Sequence, residues 1–413
     1  MSDSLYYDDL EIQDPEQREQ SLFSRLPDFI SHASLNAPAY TSLFTNLDTS
    51  QVVCRQTLAK LPITRKSDLS ALQQKQLPFG GFGARKIGEY QKVYSSPGPI
   101  YEPESSRVDY WRTARALYAC GFRKGQLIHN TYSYHLSPAG SMLESGAFAL
   151  GCAVIPGGVG QTELQVKTIA DLCPDGYVGT PSFLRILLEK ADELGLDISC
   201  IKRASVSGEA LPETLRDQLT ARNIHVLQSY ATADVGLIAY ETSYKDGLVL
   251  SEDVILEIVK PGSGDPVAPG EVGEVVVTVL NPDYPMIRFA TGDMSALMDT
   301  PSACGRTNQR IKGWMGRADQ TTKVKGMFIR PEQVNAVADR FTEIGRYRMV
   351  VTNPNNVDNL CFQCELTCLD ESVLDKITQA IKDLCKLRAS VEAVSEGTIG
   401  NDGKIISDER SYE

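Results

Sequence analysis

Histidine and tryptophan are scarce in this chain, with 4 and 2 copies among 413 residues. No histidine follows His225, so the last part of the chain has no imidazole for a zinc site or for acid–base work. Basic charge is also in short supply. Lys and Arg number 41 against 53 Asp and Glu, a net charge of −12, which excludes a general nucleic-acid binder but allows a local basic pocket for an anionic cofactor. Long hydrophobic runs are missing. The most apolar stretch, "SGAFALGCAVIPGG", is too short and too glycine-rich to span a bilayer, so no membrane partner is expected. The amino terminus, "MSDSLYYDDLEIQDPEQ", has neither a basic n-region nor an apolar h-segment and does not read as a secretory signal. With no such signal, the 10 cysteines read as reduced thiols of a cytoplasmic protein.

The segment "LCFQCELTC" holds Cys361, Cys364 and Cys368 and raises the question of zinc. A tetrahedral site needs a fourth ligand, and none is at hand. The segment is rich in strand formers, and in a strand Cys361 and Cys364 point to opposite faces. No structural zinc is expected.

A length of 413 residues suits one large domain and a smaller one. Residues 15 to 75 read as helices with loops. From about 107 to 260, helical patterns alternate with short apolar runs, the mark of parallel strands with crossover helices. "SSRVDYWRTARALYACG" reads as one helix closed by Gly121, and "SFLRILLEKADELG" as another ending at Gly195. Residues 248 to 300 turn to strand after strand, and a smaller mixed unit follows from about 320. No internal repeat appears.

Eight landmarks stand in a telling order: "PFGGFGA" (78–84), "GCAVIPGGVGQTELQV" (151–166), "PDGYVGTPSFL" (174–184), "SGEALPE" (207–213), "YATADVG" (230–236), "RFATGDM" (288–294), "GRADQTTKVKGMFIRPEQV" (316–334) and "GK" (403–404). Together they resemble the phenylacetate–coenzyme A ligase family of the adenylate-forming superfamily, over nearly the whole chain. The resemblance implies an α/β fold, with a large amino-terminal domain of mixed sheets and crossover helices (1–317). A small mobile α+β lid domain (320–413) completes it. It also implies a two-step reaction using ATP, Mg²⁺ and coenzyme A. A carboxylate attacks the α-phosphate of ATP, giving an acyl-adenylate and pyrophosphate. The coenzyme A thiol then displaces AMP.

The site residues follow from that resemblance. Tyr230 resembles the tyrosine stacked on adenine, and Gly208 and Glu209 the loop along the adenine edge. Asp293 resembles the acceptor of both ribose hydroxyls, a task for a group with acceptor sites only. Arg317 resembles the arginine reaching the same ribose, Asp319 the hinge, and Lys404 the lysine bridging carboxylate and α-phosphate. Asp234 stands where a glutamate usually helps to hold Mg²⁺, one methylene shorter, and Ala233 replaces a hydroxyl residue. Tyr132, Tyr134 and His135 are candidates for an aromatic wall of the acyl pocket, and equally for core positions.

The departure lies in "YSSPGPIYEP" (94–103), where the family pattern runs Ser-Ser-Gly-Thr-Thr-Gly-Lys-Pro and grips the terminal phosphates. Here Ser95, Ser96 and Gly98 remain as donors, Pro97 and Pro99 have no N–H, and Glu102 stands roughly where the lysine would be. A carboxylate there is expected to repel a triphosphate. Three readings stay open. The first is an AMP-forming ligase joining an aromatic or similar small carboxylate to coenzyme A. The second is a relative impaired in ATP use that moves a pre-activated acyl group to coenzyme A, a carrier protein or an amine. The third is a non-catalytic binding subunit. Homodimerisation is also open.

Overall fold

The computed structural model describes residues 4–96, 99–318, 320–354, 357–366, 371–395, 397–400 and 404–410. The chain forms two compact units, Met1–Met315 and Gly316–Glu413.

The first unit begins with the helix Pro15–Asn36, started by the Asp14 carboxylate, which accepts the Glu16 and Gln17 N–H groups. Proline at its first position needs no N–H partner there. Its buried Leu22, Phe23, Leu26, Phe29, Ile30 and Ala33 recur at spacings of three and four and form one stripe. That stripe joins the main core, with Phe289, Val277 and Ile255 from a four-stranded sheet. The order of that sheet is Thr64–Arg65, Met286–Ser295, Gly273–Val279 and Val254–Val259.

A nine-stranded sheet forms the rest of the frame. Its parallel half runs, side by side, Ala153–Pro156, Leu127–Asn130, Gly176–Gly179, Arg203–Val206 and His225–Thr232. Helices Ala139–Leu150, Thr162–Leu172, Pro181–Leu194 and Glu213–Ala221 make the crossovers, as the alternating pattern predicts. Gly151 and Gly195 end two of them in the left-handed region, at φ 77° and 64°, where a Cβ would be strained. Leu184, Leu187, Leu188 and Ala191 of the third helix pack on Tyr177, Ala204, Val206 and Val226 of the strands. From Gly236–Glu241 onward the sheet is antiparallel.

The segment 105–121 departs from the sequence reading. Only Ala114–Ala119 is helical, because Asp109 and Arg112 sit at φ 48° and 62°. The Asp109 carboxylate accepts the Thr113 and Ala114 N–H groups and ends the upstream turn there, while Tyr110 and Trp111 turn into the core.

The second unit pairs Ser390–Val394, Asn359–Leu366, Ile344–Thr352 and Ile406–Asp408 in one sheet, with helices Pro331–Ala338 and Glu371–Cys385 against it. Cys361 and Cys364 lie on the strand Asn359–Leu366. Cys364 is buried and Cys361 half-exposed, and Cys368 falls outside the described residues. Among the described residues no helix is long and apolar enough to cross a membrane.

Candidate active site

The carboxyl ends of parallel strands are where an open α/β sheet offers a crevice, and most candidate residues of the first unit gather there. Tyr132, Tyr134 and His135 follow Leu127–Asn130, and Gly208 and Glu209 follow Arg203–Val206. Tyr230 lies near the end of His225–Thr232, and Asp234 in the turn after it.

Tyr230 reaches across to the other sheet. Its hydroxyl donates to Asp293 Oδ2 at 2.8 Å and lies 3.1 Å from Thr291 Oγ1. Trp314 Nε1 donates to Asp293 Oδ1 at 3.2 Å. Asp293 is thus buried, with both oxygens already oriented by protein donors. A carboxylate has acceptor sites only, the type of group a ribose hydroxyl needs. Trp314 was missed by sequence reasoning; a tryptophan 21 positions after an aspartate gives no signal of contact.

Asp234 is buried too, and a residue from the beginning of the chain meets it. Lys66 Nζ lies 2.5 Å from Asp234 Oδ2, across 168 residues of sequence. Burial opposes the Lys66 charge, but Asp234, Asp293 and Glu102 together outweigh it and raise the pKa. Asp234 Oδ1 is buried with no hydrogen-bond partner among the described residues.

The segment 92–104 is a hairpin, Lys92–Ser96 against Ile100–Glu104, with Glu102 opposite Tyr94. Its polar groups differ from the sequence reading. Ser95 N–H donates to Leu136 O at 2.8 Å and is taken. The Ser96 hydroxyl bonds Glu102 Oε1 at 2.5 Å. Gly98 lies outside the described residues. Glu102 is buried within a strand, not presented to solvent, and its pKa is pushed up to about 8, first by burial and then by Asp234. A raised pKa weakens the like-charge repulsion of a triphosphate expected of this carboxylate.

Two residues on, Glu104 is a satisfied carboxylate. Its Oε2 accepts from Tyr94 Oη, Trp111 Nε1 and Ser141 Oγ at 2.7, 2.7 and 2.8 Å.

On the acyl side, Tyr132 is buried and donates its hydroxyl to Gly179 O at 2.8 Å, tying adjacent strand ends together. Tyr134 is half-buried, its hydroxyl accepting from Asn130 Nδ2, and His135 is exposed. Gly208 has φ 84°, and the exposed Glu209 accepts the Ser182 N–H at 2.7 Å. Arg317 and Lys404 belong to the second unit. Lys404 is exposed, and its carbonyl accepts from Arg348 Nε. Asp319 lies outside the described residues.

Comparison with known proteins gives the family and the fold. Residues 114–279 match the family described as AMP-binding enzyme. The phenylacetate-coenzyme A ligase of Escherichia coli K12 is 30% identical over 404 residues, 91% of this chain and 90% of that one. The protein of the same name from Aromatoleum evansii is 30% identical over 360 residues, 83% of this chain and 80% of that one. In fold, the chain is similar to 2-hydroxyisobutyryl-CoA ligase in complex with 2-HIB-AMP and CoA. The TM-score is 0.84 at 24% identity, covering 100% of this chain and 94% of the other. The large α/β part with mixed sheets and the smaller α+β part are the architecture of adenylate-forming CoA ligases, and the chain belongs to the phenylacetate–coenzyme A ligase family.

Proposed function

We propose that this protein is an AMP-forming acid–thiol ligase that activates an aromatic or similar small carboxylate and passes the acyl group to coenzyme A. The observation that carries this reading is the seam between the two sheets. There Tyr230 and Asp293 are hydrogen-bonded at 2.8 Å, and the half-buried Lys66 pairs with the buried Asp234. A nucleoside needs a face for its base and a carboxylate for its ribose, and its phosphates need counter-charge. All three are within one region of the first unit.

In this reading Asp293 accepts the ribose hydroxyls while Tyr230 and Trp314 hold its plane. Asp234 is the protein ligand for Mg²⁺. Its Oδ1 suits that role, since Mg²⁺ commonly takes one or two carboxylates and fills its shell with phosphate oxygens and water. When bound, the ion would neutralise charge on the phosphates. The first unit, Met1–Met315, serves as the adenylate-forming core and the second, Gly316–Glu413, as the lid, two residues short of the expected boundary at 317. The family resemblance assigns Lys404 to adenylation, Arg317 to the ribose, Asp319 to the hinge, and Gly208 with Glu209 to the adenine edge. Tyr134 is the best-placed of the three acyl-wall candidates, because Tyr132 is committed to the core.

The test is complete turnover. A panel of aryl carboxylates with Mg-ATP and coenzyme A is expected to give AMP and acyl thioester in equal amounts. AMP without thioester would move the acceptor to a carrier protein or an amine. Neither product with any acid would overturn the ligase reading.

A further inference from the structure

We propose that Lys66 is the cation that meets the nucleotide's phosphates in this chain, supplying charge from a helix start, while Lys92 at the foot of the hairpin 92–104 is held by Ser141 and Glu104. The inference rests on the nucleotide reading above and deepens it.

The hairpin's described groups are already engaged. Ser95 N–H is on Leu136 O, the Ser96 hydroxyl is on Glu102, and Pro99 has no N–H. No lysine side chain stands between residues 93 and 104. A phosphate arriving on this side therefore needs its counter-charge from elsewhere.

Lys66 is placed to give it. Its side chain is 25% exposed and its ammonium is held by Asp234. The short strand Thr64–Arg65 pairs in parallel with Phe289 and Ala290, on the strand that continues to Asp293. Lys66 therefore leaves the sheet beside the strand that carries the ribose-side carboxylate. It is also the first residue of the ten-residue helix Lys66–Lys75, whose N-cap, Arg65, makes no side-chain capping bond. The positive end of the helix thus adds to the ammonium. Further down the same helix, Gln73 clamps Tyr101 from both sides, accepting its N–H at 2.8 Å and donating to its carbonyl at 2.9 Å. One rigid element therefore positions both the lysine and the hairpin strand that bears Glu102.

The plain alternative is a structural ion pair between Lys66 and Asp234. A buried pair kept for the fold is expected to have its remaining polar atoms satisfied. Here Asp234 Oδ1, Glu102 Oε2 and Tyr284 Oη are all buried without hydrogen-bond partners among the described residues. Burial raises the Tyr284 pKa first, and the carboxyl groups of Glu102 and Asp234 raise it further. Buried polar atoms left in that state fit a place built for something polar that enters. The charge count adds a condition. One ammonium faces Asp234 and Asp293, so Lys66 works beside a divalent cation at Asp234 and does not replace it.

Calorimetric titration of adenosine, AMP and Mg-ATP into the full-length protein tests this. The unmodified protein is expected to bind AMP about tenfold or more tightly than adenosine, the contribution of one charge-assisted contact. Lys66→Gln is expected to erase that preference and weaken Mg-ATP by about 10- to 100-fold, leaving adenosine affinity unchanged. Lys66→Arg keeps the ion pair and should keep most of the preference. If Lys66→Gln fails to fold because it strands the Asp234 charge, Lys66→Gln combined with Asp234→Asn carries the same AMP-to-adenosine ratio. Equal affinity of the unmodified protein for adenosine and AMP overturns the proposal. So does a folded variant with an unchanged ratio, or one that loses adenosine and AMP alike. Binding of none of the three ligands is a different failure: it removes the nucleotide reading itself.

Discussion

On the ribose side of the site, Asp293 takes the hydroxyl of Tyr230 on one oxygen and the indole N–H of Trp314 on the other. On the phosphate side, Asp234 has Lys66 on one oxygen and nothing among the described residues on the other, and Glu102 has Ser96 on one and nothing on the other. All three carboxyl groups are buried. The difference shows what each side is prepared for. A carboxylate whose oxygens are already oriented by protein donors is pre-organised, with little rearrangement on binding. Carboxyl groups with orphaned oxygens next to a lysine form a charge cluster completed by a ligand or a metal ion.

The same contrast recurs within one strand. Glu104 is satisfied by three donors, whereas Glu102, two residues earlier, is half-satisfied and has a raised pKa. Glu104→Ala should be the most damaging change to the fold. It strands the buried donors of Tyr94, Trp111 and Ser141 and should cost on the order of 3–5 kcal/mol, read by urea unfolding. A loss below about 1 kcal/mol would mean that the network is not holding the hairpin to the core.

Glu102→Gln sharpens the contrast through pH. The Glu102 pKa rises from its ordinary 4.5 to about 8 in the folded protein. The folded state therefore holds a proton that the unfolded chain has released between those values. Its contribution is fully present below about 4.5 and is lost as pH rises through 8. Relative to Glu102→Gln, the unmodified protein should lose stability from pH 5 to pH 8.5, by on the order of a few kcal/mol at most. Parallel stability curves across that range would place Glu102 in an ordinary, solvated setting.

Asp293→Ala acts on the ribose side. Loss of the shared acceptor of Tyr230, Trp314 and the ribose should weaken AMP by about a hundredfold with a smaller change in fold stability. The smallest effect is expected from Tyr134→Ala. It should shift the preference among aryl acids by about tenfold and leave AMP affinity as it was. Equal loss of both would make Tyr134 a supporting residue.

Much of this fold was legible in the sequence. The strands and helices from 127 to 221 announce themselves through short apolar runs, helical periodicity and terminal glycines, all of which are local signals. The segment 105–121 was not, because one carboxylate, Asp109, captures the amides of Thr113 and Ala114 and overrides a good helical pattern. Tyr230 and Asp293 could be named from motifs, and the structure brings them together. Lys66 could not be found this way, since its partner is 168 residues away and no local pattern marks the contact. The surroundings of Glu102 were hidden for a related reason: sequence gives a residue's type, whereas burial and Asp234 raise its pKa.

Carboxylate-dependent exchange of labelled pyrophosphate into ATP tests the central claim most directly, because it reports adenylation alone and needs no acceptor. The account expects exchange that requires Mg-ATP and an aryl acid, falls sharply in Lys66→Gln and persists in Glu102→Gln. A protein that binds AMP yet shows no exchange with any acid would contradict it. The phosphate side of the site would then have lost the use of ATP.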